Sequence, residues 1–326
     1  MTEPKLVWVL TDGKAGDEQP LIGIAEALGS TPVLRHVHPR RLFAALMPWG
    51  PIDPQESERR SGAPLAPPWP DICLATGRRT VAYLRRLKRL SPQTFTVFFK
   101  DPRTTCHGAD LLVVQAHDKP RGKGVMVITT APNRILPERL AAIRAAPPAI
   151  LAGLPAPRVA VLIGGDSRHH RFTDADISAF EVGLREHLAQ GKSLMITASR
   201  RTPLRLRVGL EALRAEQRVH FWDGCGDNPY AAYLALADEV IVTADSTNMI
   251  GEAAATGRPV QIFYPHGGHP KITSFIAALS KTAVVGRFPN APAIGDYAPI
   301  NSTESVAQAI GAGWSARASG WEDGRQ

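Results

Sequence analysis

The loop at residues 11–20, which follows the first apolar run of the chain, contains several acidic and basic side chains. A glycine-containing turn from strand to helix brings backbone N–H groups to a helix N-terminus, where an anion is stabilised. Lys14 could hold a phosphate there, and either Asp12 or Asp17 could deprotonate an attacking hydroxyl. In the alternative interpretation, Asp17 and Glu18 only cap the helix and complement its dipole.

A second loop, at residues 163–172, follows the first apolar run in the other half of the chain. Gly164 and Gly165 would allow a ligand to approach the backbone closely. The polar side chains after the glycines could neutralise a diphosphate: Ser167, Arg168, His169, His170 and Arg171. The two histidines are equally compatible with ordinary surface positions.

A third loop, at residues 197–203, also joins an apolar run to a helical pattern. Ser199, Arg200 and Arg201 could reach the same anion. A simple helix start at the Thr-Pro pair of residues 202–203 is a competing explanation for this loop.

The most specific pattern covers residues 245–260, where a strand is followed by a hydroxyl-rich turn, a short helix, Gly-x-Pro and another strand. Such a helix start suits a phosphate, and its polar side chains are Asp245, Ser246, Thr247 and Asn248. Glu252 lies further along the same helix, where its carboxylate could accept both hydroxyls of a ribose. In the alternative interpretation, Glu252 is an ordinary exposed helix residue.

These loops lie between short apolar runs and helical patterns that alternate along the chain. We interpret ten runs as strands, at residues 6–10, 72–76, 94–99, 111–114, 125–128, 158–163, 194–197, 219–222, 239–242 and 260–263. Helical patterns include residues 21–28, 175–190, 203–215 and 230–237. Alternation of this kind predicts an α/β fold with parallel sheets covered by helices on both faces.

The length of 326 residues favours two domains, because single cores usually stop growing near roughly 250–300 residues. We expect an N-terminal domain at 1–150 and a second domain at 151–292. A C-terminal segment, 293–326, would pack back on the first domain and fray from Ala316. Residues 137–157 predict a helix followed by a linker, and the Pro-rich residues 48–70 predict an exposed loop.

Composition is that of an ordinary globular protein, with 44% hydrophobic and 21% charged residues. The three cysteines are far apart and suggest reduced thiols in the cytoplasm rather than disulfides or zinc ligands. The first apolar run is too short for a signal peptide, and no run approaches the roughly 18–20 apolar residues of a membrane span.

The net charge of +8 favours partners that carry phosphate. Part of this charge lies in residues 78–90, where arginines alternate with Val81, Leu84, Leu87 and Leu90 at helical spacing. The pattern predicts an amphipathic helix whose basic face is either solvated or a membrane-surface patch. No aromatic-and-basic recognition motif is present, so nucleic acid is not an expected partner.

Five segments carry a family resemblance: LTDGKAGDEQPLIGIAEAL, FFKDPR, VAVLIGGDSRHHRF, ITASRRTP and VTADSTNMIGEAAATGRPV. They resemble GT-B glycosyltransferases, and more closely the "elongated mitochondria" family of mitochondrial-fission proteins found in bacteria and plants. The segments are spread over most of the chain. The resemblance implies two Rossmann-like domains that face each other across a cleft, with the donor nucleotide on the second domain.

The resemblance also implies roles for individual residues. Glu252 would contact the ribose, while Ser246, Thr247 and the Gly164-Gly165 loop hold the diphosphate with help from Arg200. Acceptor-side residues would be Gly13, Lys14, Gly16, Lys100 and Arg103. Asp17 stands where the lipid-II-forming transferase has the histidine of a Gly-His turn, so the base stays open between Asp17 and Asp12. Neither a metal nor a cofactor is implied, because arginines and helix N-termini stabilise the departing diphosphate.

The predicted function is transfer of a sugar from a nucleoside-diphosphate sugar to a cell-envelope lipid or saccharide acceptor. The expected location is the cytoplasm, with the inner face of the membrane as the place where a lipid acceptor would be met. Two alternatives stay open: a nucleotide-sugar epimerase of the same fold, and a non-catalytic adaptor of the mitochondrial-fission type.

Overall fold

A computed structural model describes residues 6–116 and 124–323. The chain divides into two compact units, each with its own parallel sheet. The first unit contains Met1–Arg134 together with Ser302–Gln326, and the second contains Ile135–Asn301.

The first unit is built on a six-stranded sheet in the order β2-β1-β3-β4-β5-β6. Its strands are β1 (Val7–Thr11), β2 (Val33–His36), β3 (Ile72–Thr76), β4 (Phe95–Phe99), β5 (Leu111–Gln115) and β6 (Val125–Ile128). Its helices are α1 (Ala15–Ala27), α2 (Arg41–Leu46), α3 (Thr80–Leu90), α11 (Thr303–Asp323) and a 3₁₀ turn at Pro54–Glu56. All neighbouring strands are parallel, and β1 and β3 are buried along their whole length, as their continuous apolar sequences require.

The second unit is built on another six-stranded parallel sheet, in the order β10-β9-β7-β11-β12-β14. These strands are β7 (Arg158–Ile163), β9 (Ser193–Ala198), β10 (Val219–Trp222), β11 (Glu239–Thr243), β12 (Val260–Phe263) and β14 (Val285–Arg287). A separate pair is formed by β8 (His170–Arg171) and β13 (His266–Gly267). The helices are α4 (Pro137–Ala145), α5 (Ala149–Ala152), α6 (Asp174–Ala189), α7 (Leu204–Ala212), α8 (Tyr230–Leu236), α9 (Thr247–Ala254) and α10 (Pro270–Leu279), with a 3₁₀ turn at Leu213–Ala215.

The strand orders define where each sheet can bind a ligand. In each unit the chain winds in one direction from the first strand and then in the other, so the order reverses between β1 and β3, and between β7 and β11. Ligands of open α/β sheets bind outside the carboxyl ends of the strands at this switch point. The loops after β1 and β7 therefore both lie at the expected ligand positions.

The α/β fold class predicted from the sequence is confirmed, and all ten predicted strands are present. The strand β2 was missed because its sequence, VLRH, has only two apolar residues and lies at the sheet edge, where none of its residues is buried. β14 was missed for the same reason, since it is a short edge strand of three residues. Edge strands bury less surface, so their sequences carry a weaker pattern.

The boundary between the units lies at 134/135 rather than at 150. Residues 137–157 are part of the second unit and do not form a linker, because Leu140, Leu151 and Leu154 are buried in its core. The second unit extends to Asn301, beyond the expected limit of 292. In the first unit, α11 extends to Asp323, and its residues Val306 and Ile310 are buried against the sheet.

Residues 48–70 are not the exposed loop that their prolines suggested. Leu65 is fully buried in the same cluster as Trp8 and Met47. The carboxylate of Asp53 is also buried, and it accepts hydrogen bonds of 2.8 Å from both Nε and Nη2 of Arg40. Proline excludes regular helix from this segment but does not exclude packing on the core. None of the described helices combines the length and the apolar sequence that a membrane span requires.

Candidate functional site

At the switch point of the second unit, the loop after β7 leaves no room for side chains at two positions. A Cβ atom on Gly164 would overlap the carboxylate of Asp245, and one on Gly165 would overlap the carbonyl of Arg201. The backbone N–H of Gly164 donates to Thr243 Oγ1 at 2.8 Å, and that of Gly165 donates to Asp245 Oδ2 at 3.0 Å. The two glycines are therefore required by the close contact between neighbouring loops.

The buried carboxylate of Asp245 connects three loops at this edge of the sheet. Besides Gly165, it accepts a 2.7 Å hydrogen bond from the Thr243 hydroxyl and a 2.8 Å ion pair from Arg201 Nη2. Arg201 Nη1 also donates to the carbonyls of Gly165 and Asp166, at 3.1 and 2.9 Å. Asp245 thus holds the loop conformation, and its oxygens are occupied by protein donors.

The helix α9 begins directly after this carboxylate. Ser246 is its N-cap residue, and the Ser246 hydroxyl accepts a hydrogen bond from the N–H of Met249. Thr247 and Asn248 form the first turn and are half-buried. The α9 N-terminus follows β11, which pairs directly with β7, and so lies next to the Gly164-Gly165 turn. This arrangement can bind an anion because backbone N–H groups and the helix dipole both favour negative charge.

Glu252 is not an ordinary exposed helix residue. It is half-buried, and its Oε2 accepts a short hydrogen bond from the hydroxyl of Tyr230 on α8. Burial raises the pKa of Glu252, and the hydrogen bond from Tyr230 partly opposes that rise. One carboxylate oxygen is held by the tyrosine.

The remaining predicted donor-side residues lie at the rim of the same loops. Arg168 and Arg200 are exposed. The hydroxyl of Ser167 accepts the backbone N–H groups of His169 and His170, so it stabilises its own turn. His170 is buried, and burial lowers the pKa of its imidazole, which is therefore neutral near pH 7 and adds no positive charge to the site.

In the first unit, Asp12 follows β1 at the switch point. Only 6% of its side chain is exposed, and Oδ2 accepts a 2.7 Å ion pair from Lys14 Nζ. The other oxygen, Oδ1, is buried and has no hydrogen-bond partner in the described residues. Gly77, which follows β3, faces this oxygen, and a Cβ added there would lie 4.0 Å from Oδ1. A buried carboxylate oxygen without a hydrogen-bond partner in the described residues is uncommon in proteins, so this atom is a candidate acceptor for a ligand hydroxyl.

Asp17 and Glu18, in the first turn of α1, are both engaged by side chains from neighbouring strand ends. Asp17 forms an ion pair with Lys100, which follows β4. Glu18 Oε2 lies 2.6 Å from His36 Nε2 and 3.1 Å from Thr11 Oγ1. Neither acid caps the helix, whose N-cap residue is Lys14 without a side-chain cap.

The backbone around the predicted acceptor-side residues has unusual dihedral angles. Gly13 has a φ of 80°, and two residues with side chains, Lys100 and Arg103, have φ values of 74° and 61°. Left-handed backbone at residues other than glycine is uncommon and costs energy, and it clusters at functional sites. Gly16 lies in the first turn of α1, beside the Asp17–Lys100 ion pair.

The fold brings together most of the predicted residues of each unit, and it adds several that the sequence did not single out. His36 could have been found only by recognising the edge strand β2, and Gly77 only by knowing that β3 lies beside β1. Arg201, rather than its neighbour Arg200, pairs with Asp245. Among the described residues, no group of three or more His, Cys, Asp or Glu side chains could hold a metal ion.

Comparison with known proteins identifies the family. The family model described as "Mitochondrial fission ELM1" matches residues 15–314, which is most of the chain; the match includes the candidate loops of the second unit and begins just after Asp12, Gly13 and Lys14 of the first. The chain belongs to this family. The resemblance derived from the sequence segments is thereby confirmed.

Two relatives match this chain over part of their length. A protein of Arabidopsis thaliana named mitochondrial fission protein ELM1 is 29% identical over 281 residues, covering 76% of this chain and 66% of the plant protein. An uncharacterized protein of Rickettsia prowazekii is 30% identical over 161 residues, covering 46% of this chain and 45% of that protein. The chain therefore matches less than two thirds of the length of each relative.

Among solved structures, the UDP-GlcNAc 2-epimerase of Methanocaldococcus jannaschii has the same fold. The TM-score is 0.51 at 12% identity, and the match covers 94% of this chain and 99% of the epimerase. At this level of identity the similarity concerns the fold alone. The family member described here has two Rossmann-like units of the GT-B type, as the sequence predicted.

Proposed function

We propose that this family member is a glycosyltransferase that binds a nucleoside-diphosphate sugar on its second unit and transfers the sugar to a hydroxyl-bearing acceptor. One observation carries the proposal: the N-terminus of α9 lies at the switch point of the sheet, beside the Gly164-Gly165 turn, and the neighbouring loops carry the exposed Arg168 and Arg200. A helix N-terminus with nearby guanidinium groups favours a bound diphosphate. The acceptor would be an envelope lipid or a saccharide.

Each candidate residue of the second unit then has a role in binding the donor. Backbone N–H groups at the α9 start and the hydroxyl of Thr247 receive the diphosphate, while Asp245 and Arg201 keep the loops in place. The exposed guanidinium groups of Arg168 and Arg200 neutralise the charge that develops on the departing diphosphate. Glu252 accepts a ribose hydroxyl through the oxygen that Tyr230 does not hold.

For the base, the contacts in the first unit favour Asp12 over Asp17. Each acid forms an ion pair with a lysine, Asp17 with Lys100 and Asp12 with Lys14. The difference is the second oxygen of Asp12, which is buried at the switch point without a partner in the described residues. In the proposed reaction, Asp12 Oδ1 takes the proton of the acceptor hydroxyl and the acceptor oxygen bonds to the anomeric carbon. The bond from that carbon to the diphosphate oxygen breaks, and the nucleoside diphosphate leaves with the electron pair. Lys100 and Asp17 position the acceptor loop.

Nucleotide binding is tested by calorimetry with the uridine, guanosine, cytidine, adenosine and thymidine diphosphates. The matched variants are Arg200→Ala at the proposed site and Arg185→Ala on α6, both exposed arginines of the second unit. Arg185 lies near the C-terminus of α6, so it is at the opposite edge of the sheet from the loops. We expect one diphosphate to bind and Arg200→Ala, but not Arg185→Ala, to weaken binding about tenfold. If no diphosphate binds the wild-type protein, the proposal is wrong.

The choice of base is tested separately with the donor identified in that experiment. Asp12→Asn should reduce sugar transfer about 100-fold or more while leaving the dissociation constant of the diphosphate unchanged. Asp17→Asn, which keeps the shape but loses the Lys100 ion pair, should reduce transfer much less. The reverse order would assign the base to Asp17.

A non-catalytic adaptor is the competing function, because the plant relative carries the name of a mitochondrial fission protein. An adaptor of this fold could retain the loops yet would have no use for an unpaired oxygen on Asp12. Transfer activity that is absent with every donor and acceptor offered, together with unaltered partner binding in Asp12→Asn, would favour the adaptor. Conversion of the donor alone into an epimer would favour the epimerase.

A further inference from the structure

A separate surface of the first unit combines exposed apolar side chains with unpaired arginines. Three large apolar residues, Leu42, Leu46 and Trp49, are 70%, 48% and 67% exposed. Leu42 and Leu46 are four residues apart and so lie on one side of α2, and Trp49 lies in the turn that follows the helix. No residue of α2 is buried. We call this set, with the arginines described below, the Trp49 surface.

The Trp49 surface is held in shape by the protein beneath it. The N–H groups of Trp49 and Gly50 donate to the carbonyl of Leu46, at 3.1 and 2.9 Å, and a Cβ on Gly50 would overlap the Leu46 side chain. Arg85 Nη2 donates to the carbonyls of Trp49 and Gly50, and Arg78 Nη2 donates to that of Ala44. The exposed tryptophan therefore projects from a fixed turn.

Positive charge surrounds these apolar side chains. A cavity of about 550 Å³ opens beside Trp49 and is lined by Arg59, Arg85, Arg86 and Arg89. Arg86 is paired with Glu58, but Arg59 and Arg89 are exposed and form no ion pair within the described part of the chain. Arg41 and Arg79 are exposed in the same way nearby, at the starts of α2 and α3.

We infer that the Trp49 surface docks on a bilayer that contains anionic phospholipids. Trp49, Leu42 and Leu46 would enter the interface between head groups and acyl chains, where tryptophan is enriched. Arg59 and Arg89 would bind lipid phosphates at the mouth of the cavity. The inference does not depend on sugar transfer, because neither the loops of the second unit nor Asp12 takes part in it.

A bilayer fits these observations better than an acidic protein does. The three apolar side chains are separated from one another along the chain, and exposed arginines lie around them. A fluid interface accommodates single protruding side chains without shape complementarity, and long arginine side chains reach head groups from its edge. The positive charge adds attraction to an anionic leaflet, which salt should screen.

The test is co-sedimentation of the full chain, without any nucleotide sugar, with vesicles of phosphatidylcholine alone or mixed with phosphatidylglycerol. We expect binding to the mixed vesicles only, and a decrease when salt is added. Leu42→Ser combined with Trp49→Ser should lower partitioning about tenfold. Arg59→Gln combined with Arg89→Gln should lower it by about fivefold for each arginine.

Matched controls are Ile150→Ser, which removes an apolar side chain that is 65% exposed, and Arg139→Gln, which removes an exposed arginine of the second unit. Neither should change partitioning. The variants must keep the wild-type melting temperature and circular dichroism. Binding that is equal on neutral vesicles, or binding that survives both double substitutions, would overturn the inference. Absence of binding to either vesicle, as expected for an acidic protein partner, would overturn it as well.

Fluorescence gives an independent readout of orientation. Vesicles with brominated acyl chains quench a tryptophan that enters the interface, so they should quench the wild-type protein. Trp49→Phe keeps an apolar ring and should still bind, but the quenching should disappear. Quenching that persists in Trp49→Phe would show that another part of the chain meets the membrane.

Discussion

At the scale of single residues, the buried carboxylate of Asp245 holds the loops of the second unit together. Asp245 has no exposed side-chain surface, whereas 46% of the Arg201 side chain that pairs with it is exposed. The carboxylate also accepts the N–H of Gly165 and the hydroxyl of Thr243. Losing the arginine would leave a buried charge with neutral donors only, which is costly in the low dielectric of the interior.

Arg201→Ala should therefore lower the free energy of unfolding by about 2 kcal/mol, within the range for losing a hydrogen bond to a charged group, because solvent reaches the arginine side of the pair. Arg200→Ala removes the exposed neighbouring arginine and should change it by less than about 0.5 kcal/mol. Urea unfolding measures both. Replacing Asp245 by Asn in the Arg201→Ala background should recover part of the loss, and no recovery would contradict the assignment of Asp245 as the cause.

The hydrogen bond between Tyr230 and Glu252 predicts how diphosphate affinity depends on pH. Burial already raises the pKa of Glu252, and the tyrosine hydrogen bond holds that rise down, so Tyr230→Phe should raise the pKa further. Only the charged carboxylate accepts two hydroxyl protons, so diphosphate affinity should fall as pH drops through this pKa. In Tyr230→Phe the fall should occur at higher pH. Calorimetric titrations across pH measure the midpoint of the fall in diphosphate affinity. Identical midpoints in the wild type and Tyr230→Phe would show that Glu252 does not bind the ribose.

At the scale of structural elements, the segments that connect strands and helices also hold the first unit together. The segment at residues 48–70 carries the turn that presents Trp49, and it is attached by Asp53 to the backbone and guanidinium of Arg40. The N–H of Asp53 in turn donates to the hydroxyl of Tyr83 on α3. This buried contact joins the segment to two different helices.

Hydrogen bonds from Arg40 hold the pKa of Asp53 well below its usual value. A lowered carboxyl pKa contributes stability that is present above the unfolded pKa of about 3.9 and is lost as pH falls below it. Asp53→Asn should lower the free energy of unfolding at pH 7 by about 2 kcal/mol. The difference from wild type should shrink below about pH 4. Asp227→Asn, at an exposed position, serves as the control; a difference independent of pH would contradict the role of charge.

On the scale of the whole molecule, the described residues form two clusters of buried apolar side chains in the second unit and two in the first. The C-terminal helix α11 returns to the first unit, where Ile310 is buried and Gly313 lies against the ring of Phe95. The first unit is therefore made of two separate stretches of sequence, and the second of one continuous stretch.

This division predicts how the ligand stabilises the protein. A nucleoside diphosphate present at 100 times its dissociation constant should stabilise the unit that binds it by about 2.7 kcal/mol. In hydrogen-exchange mass spectrometry, protection should rise in peptides of Ile135–Asn301, above all after β7 and β11. Protection confined to Met1–Arg134 would place the nucleotide on the other unit.

The sequence by itself determined the α/β class, the central strands and the loops that carry charge. These features are local: a strand buried on both faces must be continuously apolar, and a ligand loop needs glycine and polar residues within a few positions. The loops after β1 and β7 could be named as sites for the same reason. Edge strands such as β2 and β14 lack a continuous apolar pattern because they bury little side-chain surface.

Only the tertiary structure decided which charges meet. Asp17 and Lys100 are 83 residues apart, and Arg201 and Asp245 are 44 apart, so no spacing along the chain predicts either pair. Each pair depends on strand order, which brings the carboxyl ends of neighbouring strands to one edge of a sheet. Because β1 lies beside β3, Asp12 Oδ1 faces Gly77. The helix α11 belongs to the first unit because the chain returns there after the second unit.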